Sequence, residues 1–223
     1  MNRLVQPELL DTLPPDDPGA MRSRRDLRRI NAWMGNHGIM ARTLKKHFPA
    51  APGRIVELGA GDGRFLLRVA EKTGWNNVDA GLVDLQKNVH PDTIAAFSGI
   101  GWRATPVVVD VFDWDGTADV VIANLFLHHF EDARLRALLE RISRRTRFFI
   151  AIEPHRFRHP FVCGQLLRWI GCNAITQHDA TISVRAGFVR RELSALWPDT
   201  DRWRLVERRA GVFSHLFIAT KEA

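Results

Sequence analysis

The sequence contains no tyrosine, which removes that side chain from every catalytic scheme. It has two cysteines, Cys163 and Cys172, too few for a disulfide framework or a four-thiolate zinc site. They read as reduced thiols. Lysine is scarce: it supplies five of the 32 basic residues and arginine supplies the rest. No apolar run approaches the length of a membrane span. Pro7, Glu8, Asp11, Asp16 and Asp17 stand where a signal peptide would be apolar, and Asn2 stands where myristoylation needs glycine. These absences point to a soluble, cytoplasmic chain with no integral membrane association.

What is present is ordinary for a globular protein: 223 residues, 45% hydrophobic and 26% charged, with a net charge of +7. Residues 1–49 read as an N-terminal helical cap. Asp17-Pro18 is an N-cap followed by proline at the first helical position. A helix then runs from Met21 to Asn36, with Leu27, Ile30 and Met34 on one stripe and Arg22, Arg25 and Arg29 on another. A short second helix covers Met40, Leu44 and Phe48.

From residue 50 onward, short apolar runs alternate with helical patterns. Strands are expected at 54–58, 78–85, 105–111, 118–125 and 148–152, with helices between them. Helices are also expected over 158–172 and 187–197. The last two strands, 203–207 and 213–219, are separated by about five residues around Gly211, a gap that suits a hairpin and not a helical crossover. The expected fold is therefore α/β: a Rossmann-like seven-stranded sheet ending in an antiparallel hairpin, with helices on both faces. One domain over 50–223 carries an insertion at about 158–186.

The sharpest motif is Glu57-Leu58-Gly59-Ala60-Gly61-Asp62-Gly63, between the first strand and its helix. Glycines there permit a tight turn and close approach of a ligand to the backbone. A nicotinamide fingerprint would place its third glycine at position 64, which is Arg64. The observed spacing resembles motif I of the class I S-adenosylmethionine-dependent methyltransferases.

The resemblance extends over residues 53–157, and over 187–220 by topology. It implies S-adenosylmethionine as cofactor and S-adenosylhomocysteine as product. It assigns cofactor binding to Glu57, Gly59, Ala60, Gly61 and Gly63, the ribose hydroxyls to Asp84 with Leu85 beside it, and the adenine to Asp110 and Val111. It assigns the cofactor ammonium to the main chain near Asn124. Each residue alone has a plainer role, as turn glycine or solvated strand-end carboxylate. Together they fall in order at the carboxyl ends of successive strands, where open α/β sheets bind ligands.

Methyl transfer needs alignment of two partners and a base only where the nucleophile must lose a proton. His128 and His129 leave the fourth strand at this rim, and the segment resembles that of quinone-pathway and polyketide-associated methyltransferases. His128 and His129 are the first base candidates, and His155, after Glu153-Pro154, is the next. His178-Asp179 and His37 rank below them. Asn124 is followed by Leu125 and Phe126, without the prolines of amide-nitrogen methylation. No metal-ligand set assembles from spacing alone, so no metal is expected.

The acceptor pocket is expected between cap and insertion. Trp33, Met34, Phe126 and Trp169 are its substrate candidates, with Asn31, His37, Phe161 and Leu166 as further wall residues. This implies a small apolar or aromatic, phenolic or polyketide-like acceptor, in the chemistry of secondary metabolism. The alternative is methylation of RNA or another macromolecule, suggested by the basic charge. That charge is local: residues 21–47 hold Arg22, Arg24, Arg25, Arg28, Arg29, Arg42, Lys45 and Lys46 against Asp26 alone. Basicity confined to the cap disfavours a nucleic-acid partner. It leaves a solvated face, or a surface for an acidic partner, an anionic acceptor group or a membrane surface.

Overall fold

The computed structural model describes residues 3–14, 16–157, 165 and 167–222. Seven strands form one sheet: β1 (Arg54–Leu58), β2 (Val78–Asp84), β3 (Trp102–Val108), β4 (Val120–Asn124), β5 (Phe148–Pro154), β6 (Trp203–Ala210) and β7 (Ser214–Lys221), in the order β3-β2-β1-β4-β5-β7-β6. The first five are parallel, and β7 runs antiparallel between β5 and β6. The order reverses between β1 and β4, which opens a crevice at their carboxyl ends.

Successive strand side chains point to opposite faces, so each strand feeds two cores. Ile55, Ile122 and Ile150 face one way, onto Met40 and Leu44 of α3 (Asn36–His47), Leu66 and Val69 of α4 (Arg64–Thr73) and Phe97 of α5 (Pro91–Gly99). Val56, Val121 and Phe149 face the other, onto Leu135, Leu138 and Ile142 of α6 (Asp132–Ser143) and Leu193 and Leu196 of α8 (Glu192–Leu196).

The N-terminal helices lie over the crevice. A single turn, α1 (Leu9–Thr12), precedes α2 (Pro18–Met34), which starts as expected at Asp17, whose carboxylate accepts from the Ala20 amide. Gly35 ends α2 at φ 71°, a left-handed turn that glycine adopts without penalty, and α3 begins at the next residue. The first expected helix thus stops two residues short of Asn36, and the expected second helix starts at Asn36 and ends just before Phe48. The apolar stripe of α2, Leu27, Ile30 and Met34, packs on Leu167, Cys172 and Ala180, the last on α7 (Ala174–Ala186).

Three sequence expectations shift. β3 was expected over 105–111 but pairs with β2 from Val78↔Trp102 to Asp84↔Val108. The valine run past Pro106 overshoots the end of its only partner, so Asp110 and Val111 lie in the following loop. β5 runs on to Pro154 because β7 pairs along its whole length. The helix expected over 187–197 shrinks to Glu192–Leu196, because Gly187 and Phe188 are extended against Pro154 and His155. Phe161, Cys163 and Leu166 lie outside the described residues; residues 167–169 are helical.

Candidate active site

A cavity of about 1530 Å³ runs from the glycine loop, beneath the cap, to the end of β4. Glu57, Gly59, Ala60, Gly61, Asp84, Leu85, Asp110, Val111, Asn124, Phe126, His128, His129, Trp33 and Met34 all line it. Gly63 lies beneath, where an added Cβ would meet Leu82 at 2.9 Å.

The glycine loop is shaped by its own backbone. Gly59, Gly61 and Gly63 have φ of 67°, 56° and 73°. A Cβ on Gly59 would lie 2.2 Å from the Phe126 ring, whereas one on Gly61 meets nothing within 4 Å. Gly59 is therefore required by packing, and Gly61 keeps its face of the loop open. The Ala60 amide donates to the Val83 carbonyl at 3.0 Å. The Asp84 carboxylate accepts from the amides of Gly61 and Gln86, both at 2.8 Å, which fixes its orientation at the tip of β2.

Glu57 is fully buried beneath this loop, and its Oε2 has no hydrogen-bond partner. Burial first, then the charges of Asp62 and Asp84, push its carboxyl well above the usual range, against a hydrogen bond from the Leu66 amide. A buried orphan acceptor at a cavity wall is a place for a cationic ligand group.

The far end of the cavity is organised by Glu153. Its Oε1 accepts from the amides of Phe126 (3.1 Å) and Leu127 (2.9 Å), and its Oε2 meets the His128 amide (3.3 Å) and Nδ1 (2.8 Å). The chain reaches this arrangement through Leu125, a non-glycine residue at φ 52°. Nε2 of His128 faces Oε1 of Glu8 at 3.4 Å. Burial opposes the charge on His128, yet hydrogen bonds and attraction from Glu153 and Glu8 raise it to about 9. Both ring nitrogens are thus engaged by carboxylates, and neither is offered to a substrate. Burial likewise opposes the Glu8 carboxylate, but His128 holds it down at about 2.

His129 lies beside it, ring centroids 4.3 Å apart and tilted by 35°. Burial and then the His128 charge lower it to about 4, so it is a neutral imidazole on the cavity wall. Of the other base candidates, His155 stacks on His215 and is not among the described residues lining the cavity. Asp179 is spent on the amides of Leu9 and Leu10, at 2.9 and 3.0 Å. That contact brings Glu8 to His128.

Of the four substrate candidates, Trp33, Met34 and Phe126 line the cavity, and the Trp33 ring lies 5.1 Å from that of Phe213, tilted by 35°. Trp169 does not face the cavity; it is 88% exposed. The cap is held by polar contacts that spacing did not suggest. Asn36 and Asn124 both donate to Asn31 Oδ1, Asn36 also donates to Asn124, and Ser214 donates to Asn36 at 2.7 Å. Arg28, in the basic segment of the cap, pairs with Asp62 of the glycine loop at 2.8 Å. No helix of the described residues is long and apolar enough to cross a membrane.

Residues 55–147 match the methyltransferase domain family. No curated protein sequence matches the chain. Among solved structures, the fold is similar to the plantazolicin methyltransferase BpumL in complex with S-adenosylhomocysteine, at 13% identity and a TM-score of 0.66, covering 93% of this chain and 92% of that one. It is similar to magnesium protoporphyrin IX methyltransferase from Synechocystis PCC 6803 at 11% identity and a TM-score of 0.61, covering 93% and 96%. It is also similar to an O-methyltransferase family protein from Burkholderia thailandensis at 15% identity and a TM-score of 0.64, covering 93% of this chain and 61% of that one. The match over residues 55–147 identifies a methyltransferase domain, and the fold of the described residues is that of class I methyltransferases.

Proposed function

We propose that this methyltransferase moves the methyl group of S-adenosylmethionine to an oxygen of a small aromatic, phenolic or polyketide-like acceptor held under the cap. One observation carries the reading: a single cavity joins the glycine loop to His129 and is walled by Trp33, Met34, Phe126, Phe130 and Phe213. Two structural neighbours, a plantazolicin methyltransferase in complex with a monoazolic desmethylPZN analog and a magnesium protoporphyrin IX methyltransferase, support a small-molecule class. Residues 1–49 act as the cap and 50–223 as the catalytic domain, in a cytoplasmic enzyme. Arg24, Arg25 and Arg29 along the cavity rim favour an acceptor with an anionic substituent.

The site fits the cofactor on its own terms. Glu57 Oε2, buried and without a partner, takes the ammonium, aided by the main chain at Asn124. Asp84, with lone pairs left beyond its two amide contacts, takes the ribose hydroxyls. Asp110 and Val111 flank the adenine. The bound cofactor supplies an activated methyl on a sulfonium sulfur. His129, neutral in this setting, accepts the proton of the acceptor hydroxyl. The cap excludes water from the reacting pair. The test is calorimetry with S-adenosylhomocysteine, followed by transfer of labelled methyl to a panel of phenols and aromatic carboxylates. Labelling of RNA in preference to every phenol in that panel would overturn the acceptor assignment.

A further inference from the structure

Glu8, His128 and His129 are the group of three metal-capable side chains that the described residues bring together. Their ligand atoms all lie within 4.8 Å of one another. We propose that these three residues form a binding site for a divalent first-row transition ion, zinc(II) by donor type, with its open coordination position facing the acceptor end of the cavity.

Four observations carry this. The donor set is two imidazoles and one carboxylate, the composition of catalytic zinc sites that keep a fourth position for water or substrate. The contact between His128 Nε2 and Glu8 Oε1, at 3.4 Å, is longer than a charge-assisted hydrogen bond. It is close to the roughly 3.3 Å that separates two ligands bonded at about 2.0–2.1 Å around a tetrahedral ion. Nδ1 of His128 is bound to Glu153 at 2.8 Å, so Nε2 is the nitrogen aimed at Glu8; a carboxylate behind the ligating imidazole is the usual outer partner of a metal-bound histidine. Finally, the Ser183 hydroxyl donates to Oε1 of Glu8, the oxygen that faces His128, which fixes that carboxylate, and all three donors line the cavity.

The site is contributed by two distant parts of the chain. Glu8 belongs to the N-terminal segment, which Arg3 anchors on Ala186 and Asp132 and which Asp179 anchors at Leu9 and Leu10. An ion would therefore also fasten that segment over the cavity. With the ion in place His129 is a ligand and not the proton acceptor, and an oxygen of the acceptor fills the open position. That last role rests on the methyl-transfer reading; the metal site itself does not.

The experiment uses the full chain after chelator treatment and dialysis. Zinc(II) binding is measured by calorimetry, and cobalt(II) is added as a visible-absorbing probe of four-coordinate geometry. The expected result is one ion per chain, with affinity lowered at least about tenfold by Glu8→Gln and by His129→Gln, and about 10–100-fold by Glu153→Gln. His90→Ala, which removes the exposed His90–Asp92 pair, leaves binding unchanged. Absence of stoichiometric binding overturns the proposal, as does binding that survives both Glu8→Gln and His129→Gln. Circular dichroism of each variant separates lost ligation from lost folding, and the cobalt spectrum of the wild type stands whatever the variants do. Calorimetry with S-adenosylhomocysteine on the same samples keeps the two readings apart: zinc bound without cofactor affinity sinks the methyl-donor assignment alone.

Discussion

The Nδ2 of Asn36, on the first turn of a cap helix, donates to the Oδ1 of Asn124, the last residue of β4, at 3.1 Å. Asn36 is fully buried, and its amide also meets Asn31 and Ser214. Removing a buried amide with several partners strands each of them, at about 1–3 kcal/mol. Asn36→Ala is therefore expected to lower stability by that amount in urea denaturation, and to weaken cofactor binding because the cap loosens. Unchanged stability would show that the network contributes nothing beyond what water replaces.

The glycines separate packing from binding. Gly61→Val is expected to raise the dissociation constant of S-adenosylhomocysteine by at least about 100-fold, roughly 2.7 kcal/mol, because the side chain enters the open face of the loop. Gly59→Ala is expected to lower the melting temperature first, since its Cβ collides with Phe126. A common readout, calorimetry beside thermal melting, distinguishes the two.

Glu57 predicts a pH effect of definite sign. Its carboxyl is held well above its ordinary value of 4.5 by burial. A raised folded-state pKa contributes stability that is complete below pH 4.5 and is lost as pH rises through the folded value. The cofactor-free Glu57→Gln variant should therefore lose less stability than wild type as pH is raised above 4.5. A cationic ligand group also favours the charged carboxylate, so wild type should release a proton on binding S-adenosylhomocysteine. Calorimetry in buffers of different ionisation enthalpy reads that proton, and the variant should not show it.

The adjacent histidines should behave differently. In metal-free protein, His129→Ala is expected to reduce turnover by about 10²–10⁴-fold while leaving cofactor affinity close to wild type. His128→Ala leaves Glu153 and Glu8 without their cation and is expected to cost about 3–5 kcal/mol of stability. Equal melting temperatures for the two variants would contradict this division.

The glycine-loop half of the cavity was legible because its determinants are local. Strand ends and glycine spacing place Glu57, Gly61 and Asp84 without any long-range information. Asp110 was placed at the rim, although its strand ends at Val108, three residues short of the expected Val111. The acceptor half was less legible because its contacts join distant segments. Nothing near Glu8 announces that Asp179 will carry it to His128, and nothing near Asn36 announces Ser214. Glu153 stood out as a strand-end acid, yet its work, gathering three amides and an imidazole, appears only once Leu125 turns the chain toward it. Trp169 shows the converse: an aromatic residue in the insertion, taken as a wall, that faces solvent.

The Ser214–Asn36 contact has a consequence for how the molecule is assembled. Asn36 is made 178 residues before Ser214, which opens β7, a strand that must be slotted between β5 and β6. The roof of the cavity is thus made well before the strand that fastens it, so a chain synthesised only as far as β5 can own a formed glycine loop while the cavity still stands open.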